Sequence, residues 1–440
     1  MSTWLQNWEP DNPAFWQKTG KRIAWRTLII TTVALVLSFA TWFTMSAVVV
    51  RIPQIGFKFD TMQLFWLAAM PGLAGGTFRI ANTFLIPIYG TRHVITATTF
   101  LKLIPCIGIG LAVMNPGTPF WVFIVLALLA GLGGGDFSSY MPSTRFFFPK
   151  QLQGTALGIQ AGIGNFGVSL TQFITPWIIG FAVIGSAQTM TAGGATRPIW
   201  LQNAAFWYVP FLVIIGAVAW LTLRSVPVKA SFREQLDIFK VKHTWFCTIT
   251  YIMTFGTFAG LSAAFPLLIK ALYGSFPDAP DPLRYAFLGP LIGSLARVLT
   301  GPLADKVGGA ILTHITGIVL ILGTLALAGL GLLTPTSLAQ FPAFVAIMLI
   351  LFLFTGIGNA ATFRQYPIIF ADSPRQGAGV IGWTAAIAAY GPFIFSTLIG
   401  ASITATGSPQ AFFYGMVIFY VIATAINWWY YTRRGCEKPS

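Results

Sequence analysis

The chain has 440 residues, of which 55% are hydrophobic and 8% charged, and its mean hydropathy is +0.74. Soluble domains carry about a quarter charged residues, so this composition excludes one and asks for lipid as solvent. The formal charge of +15, from 26 Lys and Arg against 11 Asp and Glu, would suggest a nucleic-acid partner in a soluble protein; here it collects in alternate loops, so none is expected and a bilayer is.

The first 26 residues are polar and aromatic, too long for a signal peptide and followed by no small-residue cleavage site, so helix one is expected in the mature protein. Apolar stretches, most of them reaching the roughly 20 residues that cross a bilayer, follow at roughly 27 to 50, 61 to 89, 94 to 114, 119 to 147, 156 to 182, 205 to 223, 245 to 272, 285 to 303, 310 to 333, 341 to 370, 378 to 403 and 411 to 431. They predict an all-α membrane protein of twelve transmembrane helices. An even number puts both termini on one side. Lys18, Arg26, Arg92, Arg145, Lys150, Arg224, Lys229, Arg233, Lys306, Arg375 and Arg433 fall on that side, and only Arg51, Lys58, Arg197, Lys270 and Arg284 on the other. The positive-inside rule then makes both termini cytoplasmic.

The polar stretch after helix six divides the chain into a segment 1 to 26, a six-helix half 27 to 223, a linker 224 to 244, a second half 245 to 431 and a tail 432 to 440. The halves repeat. GLGGGDFSSYMP, from Gly131 to Pro142 in helix four, answers to GIGNAATFRQYP, from Gly356 to Pro367 in helix ten, at an offset of 225 (356 minus 131). Each run leads to a charged turn ending in Gln-Gly, at Gln153-Gly154 and Gln376-Gly377. In helices two and eight, Pro71, Arg79 and Gly90 match Pro290, Arg297 and Gly308, both Arg-to-Gly intervals being 11 (90 minus 79, 308 minus 297). Two parallel six-helix repeats point to the major facilitator fold.

Arg79 and Arg297 therefore occupy related places inside helices two and eight. An Arg at the centre of a membrane helix costs at least about 2.5 to 3.5 kcal/mol, so it is normally paired, hydrated or functional. Asp136 is the one acidic residue in a helix interior, so carboxylates can neutralise at most one of the two. Two guanidinium groups facing one cavity, at least one of them uncancelled, suit a small planar oxyanion. Asp136 itself has two readings, a proton-coupling site or a permanent counter-ion to one Arg. GPLADKVGG, from Gly301, makes Asp305 and Lys306 a gate or hinge, and Arg364, toward the same end of helix ten, serves the inner gate. Lys102 is expected to snorkel from the end of helix three, and His314 has an equally ordinary place in helix nine. The glycines of helix five favour close helix packing. Cys106, Cys247 and Cys436 suggest neither a disulfide nor a metal site, no cofactor is implied, and no enzyme signature occurs.

GPLADKVGG resembles the cytoplasmic signature of the major facilitator superfamily. AGIGNFGVSLTQ from Ala161, GGTFRIANTFLIPIYG from Gly75, SSYMPSTRFFFPKQLQGTALG from Ser138 and WEPDNPAFWQKTGKRIA from Trp8 resemble the NarK-type nitrate/nitrite porters. The resemblance implies that Arg79 and Arg297 clamp the anion from opposite halves, with Phe137 and Phe255 on its faces and Tyr251 as a hydrogen-bond donor. It implies further that Gly162, Gly164 and Asn165 form a nitrate signature on helix five. Helix eleven departs from the second signature, with Ala388 where a glycine is usual and Pro392 after Gly391. The short connection between helices ten and eleven and Asp136 in place of Asn look like the type-1 branch. The expected function is secondary active transport of nitrate, or nitrite, across a bacterial inner membrane by a monomer, with proton symport through Asp136. The alternatives are nitrate/nitrite antiport and a membrane sensor that binds an anion without moving it.

Overall fold

The computed structural model describes residues 4–83, 85–192, 195–227 and 236–440. Lys229, Arg233 and part of the expected linker lie outside the described residues. Among the described residues, twelve long helical segments stand where the apolar stretches predict them: Pro13–Val48, Thr61–Asn82, Leu85–Met114, Phe120–Phe147, Lys150–Ile178, Asn203–Thr222, Lys242–Tyr273, Leu283–Leu299 with Gly301–Val307, Gly309–Gly329, Leu338–Ile369, Arg375–Thr406 and Gln410–Thr432. They are helices one to twelve. Ten are long and apolar enough to span, and helix eight, bent by 52° near Thr300, makes an eleventh. Helix five, rich in Gly and Gln, is less apolar, but its 29 residues reach about 43 Å, more than the roughly 30 Å of a hydrocarbon core.

Local details add to these expectations or correct them. Helix one starts at Pro13, not 27, because Asn12 caps it by accepting from the Ala14 and Phe15 amides. Helix two is interrupted at Thr83, whose hydroxyl bonds back to the Arg79 carbonyl at 2.8 Å, and the kink that turns the chain into helix three comes at Gly90, φ +77°, beside the expected end at 89. The connection between helices five and six contains an antiparallel pair of short strands, Gln188–Ala192 and Ala195–Ile199.

The sequence repeat is also a repeat of contacts. A Cβ on Gly131 would lie 2.5 Å from Ala74 Cβ and 2.8 Å from the Gly75 nitrogen, where helix four crosses helix two. A Cβ on Gly356 would collide with the Gly293 carbonyl and lie 2.8 Å from Ala296 Cβ, where helix ten crosses helix eight. Gly90 and Gly308, eleven residues after each Arg, share a positive φ, +77° and +100°, a conformation that only glycine adopts freely.

The first six and last six helices meet through helices two and eleven, five and eight, and one and seven. Trp4 pairs with Ser225 after helix six, and the Ser440 carbonyl accepts from Ala310 at the start of helix nine; both described chain ends thus lie on one face. On the opposite face the two sets are latched. Arg51 Nη2 reaches both Asp281 oxygens at 2.7 and 2.6 Å, and Lys270 Nζ donates to the Val50 carbonyl at 3.0 Å. On the terminal face a cleft of about 480 Å³ separates them, lined by Asp11, Arg145 and Lys150 on one side and Arg375 on the other. The protein is therefore shut on one face and cleft on the other.

Candidate functional site

Helix two brings Arg79 to the middle of the bundle, where it is fully buried. Its Nε donates to the Gly134 carbonyl at 2.7 Å and its Nη1 to the Ala385 carbonyl at 2.7 Å, from helices four and eleven. Helix four offers that carbonyl because its ladder is interrupted there, the helix being cut into Phe120–Ala130, Leu132–Gly135 and Phe137–Phe147. Four rings surround the guanidinium: Phe137 at 4.8 Å, Phe255 at 5.2 Å, Trp42 at 5.3 Å and Phe39 at 5.9 Å from its carbon. Ring faces stabilise a cation without cancelling its charge. Nη2 has no hydrogen-bond partner among the described residues.

Helix eight brings Arg297 from the other set. It is 6% exposed, Phe363 lies 4.8 Å from its guanidinium carbon, and both Nη atoms lack partners among the described residues. Tyr251 on helix seven lies within electrostatic reach of both guanidinium groups and stacks on Phe255, with centroids 5.5 Å apart and planes at 10°. Tyr251 immediately precedes, and Phe255 lies within, a π-turn, Ile252–Gly256, inserted between the α-segments of helix seven; such bulges recur at functional sites. No carboxylate is within ion-pair distance of either Arg among the described residues.

Asn165 on helix five is fully buried, and neither amide atom has a partner among the described residues. Asn359 on helix ten is in the same state. A buried polar group left unpaired costs about 1 to 3 kcal/mol, so the unpartnered nitrogens of the two arginines favour a polar ligand between them.

The structure places Arg79, Arg297, Phe137, Tyr251 and Phe255 in one region, with the Phe137 and Phe255 rings packed on the Arg79 guanidinium. It gives the other expected residues different surroundings. Gly162 and Gly164 are close-approach points: a Cβ there would lie 2.6 Å from Val298 and 2.7 Å from Leu35. Gly162 lets helix eight close beside Arg297. Asp136 turns away from the arginines and pairs with Lys102, also accepting from Ser38 at 2.6 Å. Lys102 does not snorkel; it is fully buried, because its ammonium finds a carboxylate inside the bundle. Asp305 pairs with Arg364 at 2.6 Å, but both belong to the last six helices and are exposed, so this pair braces helices eight and ten instead of bridging the two sets. Lys306 is exposed nearby. Sequence reasoning missed Phe39, Trp42 and Phe363, whose ring types are too common in membrane helices to stand out. Asn359 had a signal, the recurrence of GIGN at Gly162 to Asn165 and Gly356 to Asn359.

Donors converge on one place, aromatic rings wall it, and acids are absent from it among the described residues. The chemistry of such an arrangement suits a small anion with flat faces and oxygens at its rim. Residues 28–362 match the Major Facilitator Superfamily. The chain is 60% identical to a probable nitrate/nitrite antiporter, NarK2, of Thermus thermophilus, over 99% of this chain and 98% of that one. It is 38% identical to the nitrate/nitrite transporter NarU of Escherichia coli K12, over 98% and 96%. Among solved structures it resembles a bacterial homologue of the human lysosomal transporter Spinster, in an inward-facing, unoccupied conformation, with a TM-score of 0.64 and 15% identity over 92% and 96%.

Proposed function

The chain belongs to the NarK-type nitrate/nitrite porters of the Major Facilitator Superfamily, and from that premise we propose that it carries nitrate and nitrite past the Arg79 and Arg297 pair by alternating access. The observation that carries this reading is the set of guanidinium nitrogens left without partners among the described residues, between the two groups of helices. Nitrate is planar and has three equivalent oxygens, so one edge can take the free Nη2 of Arg79 and another the Nη1 and Nη2 of Arg297. Phe137 and Phe255 favour a flat ligand over a tetrahedral one. Rocking of the two sets about this place would expose the anion first to one face and then to the other.

The basic residues of the terminal face, Arg145, Lys150 and Arg375 in its cleft among them, support placing that face in the cytoplasm of the inner membrane. One chain contributes every group of the site, which supports a monomer.

An anion entering a negative interior costs about 2.3 kcal/mol per 100 mV, so uptake needs protons or an exported anion. For proton symport through Asp136, the proton must enter a pair with Lys102 and leave a buried ammonium without its counter-ion. Exchange of nitrate for nitrite needs no such step, and the pairing of Asp136 with Lys102 is the observation that favours it. In proteoliposomes, nitrate uptake is expected to rise with nitrite loaded inside and to ignore an imposed pH gradient. Uptake driven by the pH gradient with no internal anion would establish symport instead.

A further inference from the structure

The second interruption of helix four falls at Asp136, between the two groups that this helix gives to the anion site. Gly134 supplies the carbonyl for Arg79 Nε at 2.7 Å, and Phe137 lays its ring 4.8 Å from the Arg79 guanidinium carbon. The Asp136 side chain points the other way, fully buried, into a polar knot behind the site. It pairs there with Lys102 of helix three and accepts from Ser38 Oγ of helix one at 2.6 Å. Lys102 also donates to the Thr98 carbonyl at 3.0 Å. One turn further along helix four, the Tyr140 hydroxyl meets Thr98 at 3.2 Å and Thr99 at 3.3 Å. The Gly-Gly-Gly run just before Asp136, Gly133 to Gly135, lies hard against helices one and two: a Cβ on Gly133 would collide with the Ser38 carbonyl, and one on Gly134 or Gly135 would lie 2.6 Å from Trp42 or Phe78.

We propose that Lys102, Asp136 and Ser38 form a positioning device: a charge-neutral tether to helices one and three that holds the interrupted segment of helix four so that Gly134 and Phe137 meet Arg79. The inference rests on Arg79 being an anion ligand, as proposed above. Close packing of the three glycines fixes how near helix four lies to its neighbours but seats no side chain of that run in a socket, so the register of the interrupted segment needs a further contact. An ion pair with a shared hydroxyl accepts one register, since any shift strands a buried charge. The titratable groups around Asp136 are Lys102 and Tyr140, with Cys106 beside Lys102; in this reading none exchanges a proton during transport.

Two variants test the tether. Ser38→Ala leaves the ion pair intact and removes one hydrogen bond, so the protein should be made and melt as the unaltered chain does. Its KM for nitrate in counterflow should rise by about fivefold with the maximal rate little changed, the worth of one such bond transmitted to the site. Lys102→Met combined with Asp136→Asn removes both charges and avoids the stranded charge that either change alone would leave; the introduced carboxamide keeps an acceptor for Ser38. This double variant should transport within about tenfold of the unaltered chain, with raised KM and the same response to pH. Unchanged KM in both variants would overturn the proposal, as would a double variant that transports nitrate but loses a pH response the unaltered chain has. Normal counterflow in an Arg297→Lys variant would instead remove the anion-site reading itself, whatever the tether variants do.

Discussion

Replacing Arg297 by lysine is expected to leave the protein folded and to lower nitrate counterflow by about a hundredfold or more. The Arg297 guanidinium makes no hydrogen bond through either Nη among the described residues, so little internal structure depends on them. What lysine removes is a planar fork that can hold two oxygens at once; its ammonium is a compact point charge. Two charge-assisted hydrogen bonds are worth about 1.5 to 3 kcal/mol each, and losing their combined geometry corresponds to two decades or more in affinity. Arg79→Lys should be at least as damaging, because Arg79 also holds the Gly134 and Ala385 carbonyls and sits among four rings. Counterflow of labelled nitrate in proteoliposomes, beside a melting curve for each variant, measures both effects. Ordinary counterflow in the Arg297→Lys chain would end the clamp reading.

The second large effect is expected at the closed face. Asp281→Asn breaks a two-pronged contact with Arg51, whose side chain is 4% exposed while that of Asp281 is 23% exposed. Stranding one partner of a fully buried pair costs about 3 to 5 kcal/mol; with the exposure of Asp281 discounted, about 2 kcal/mol remains to favour opening, or a shift of about thirtyfold in population. Lys270 still holds the Val50 carbonyl, so the face should open more often without falling apart. A cysteine at Ser262, which is buried behind the latch beside Gln172, should then react faster with a membrane-impermeant maleimide added from that face. Equal labelling with and without the Asp281→Asn change would mean that the pair does not keep the face shut.

Much of this architecture was legible in the residues because lipid makes the rules severe. Spans show as apolar runs, and an arginine in such a run is too costly to be idle, so Arg79 and Arg297 announced themselves, and the matching motifs of helices four and ten announced the repeat. The partner of Asp136 was not legible. Lys102 and Asp136 are 34 residues apart on helices three and four, and only the rotation of each helix about its axis decides whether they meet or face lipid. The same holds for the rings on Arg79: nothing in spacing tells Trp42 from the aromatic residues of an interfacial belt. The early start of helix one came from a single cap at Asn12, and the break within helix two from a back-bonding threonine. Such side-chain events are weaker signals than hydropathy.

The widened turn at Ile252–Gly256 makes helix seven two rods in one. It takes in one residue more than an α-turn, so the stripes above and below it are offset by about 100°. Lys242–Tyr251 packs on helices ten, eleven and twelve, whereas Thr257–Tyr273 also reaches across to helices one and two. Torsion imposed at one end can be taken up in the loosened ladder before it arrives at the other, and the stacked rings of Tyr251 and Phe255 sit at the start of that joint and inside it, where the anion would feel it first.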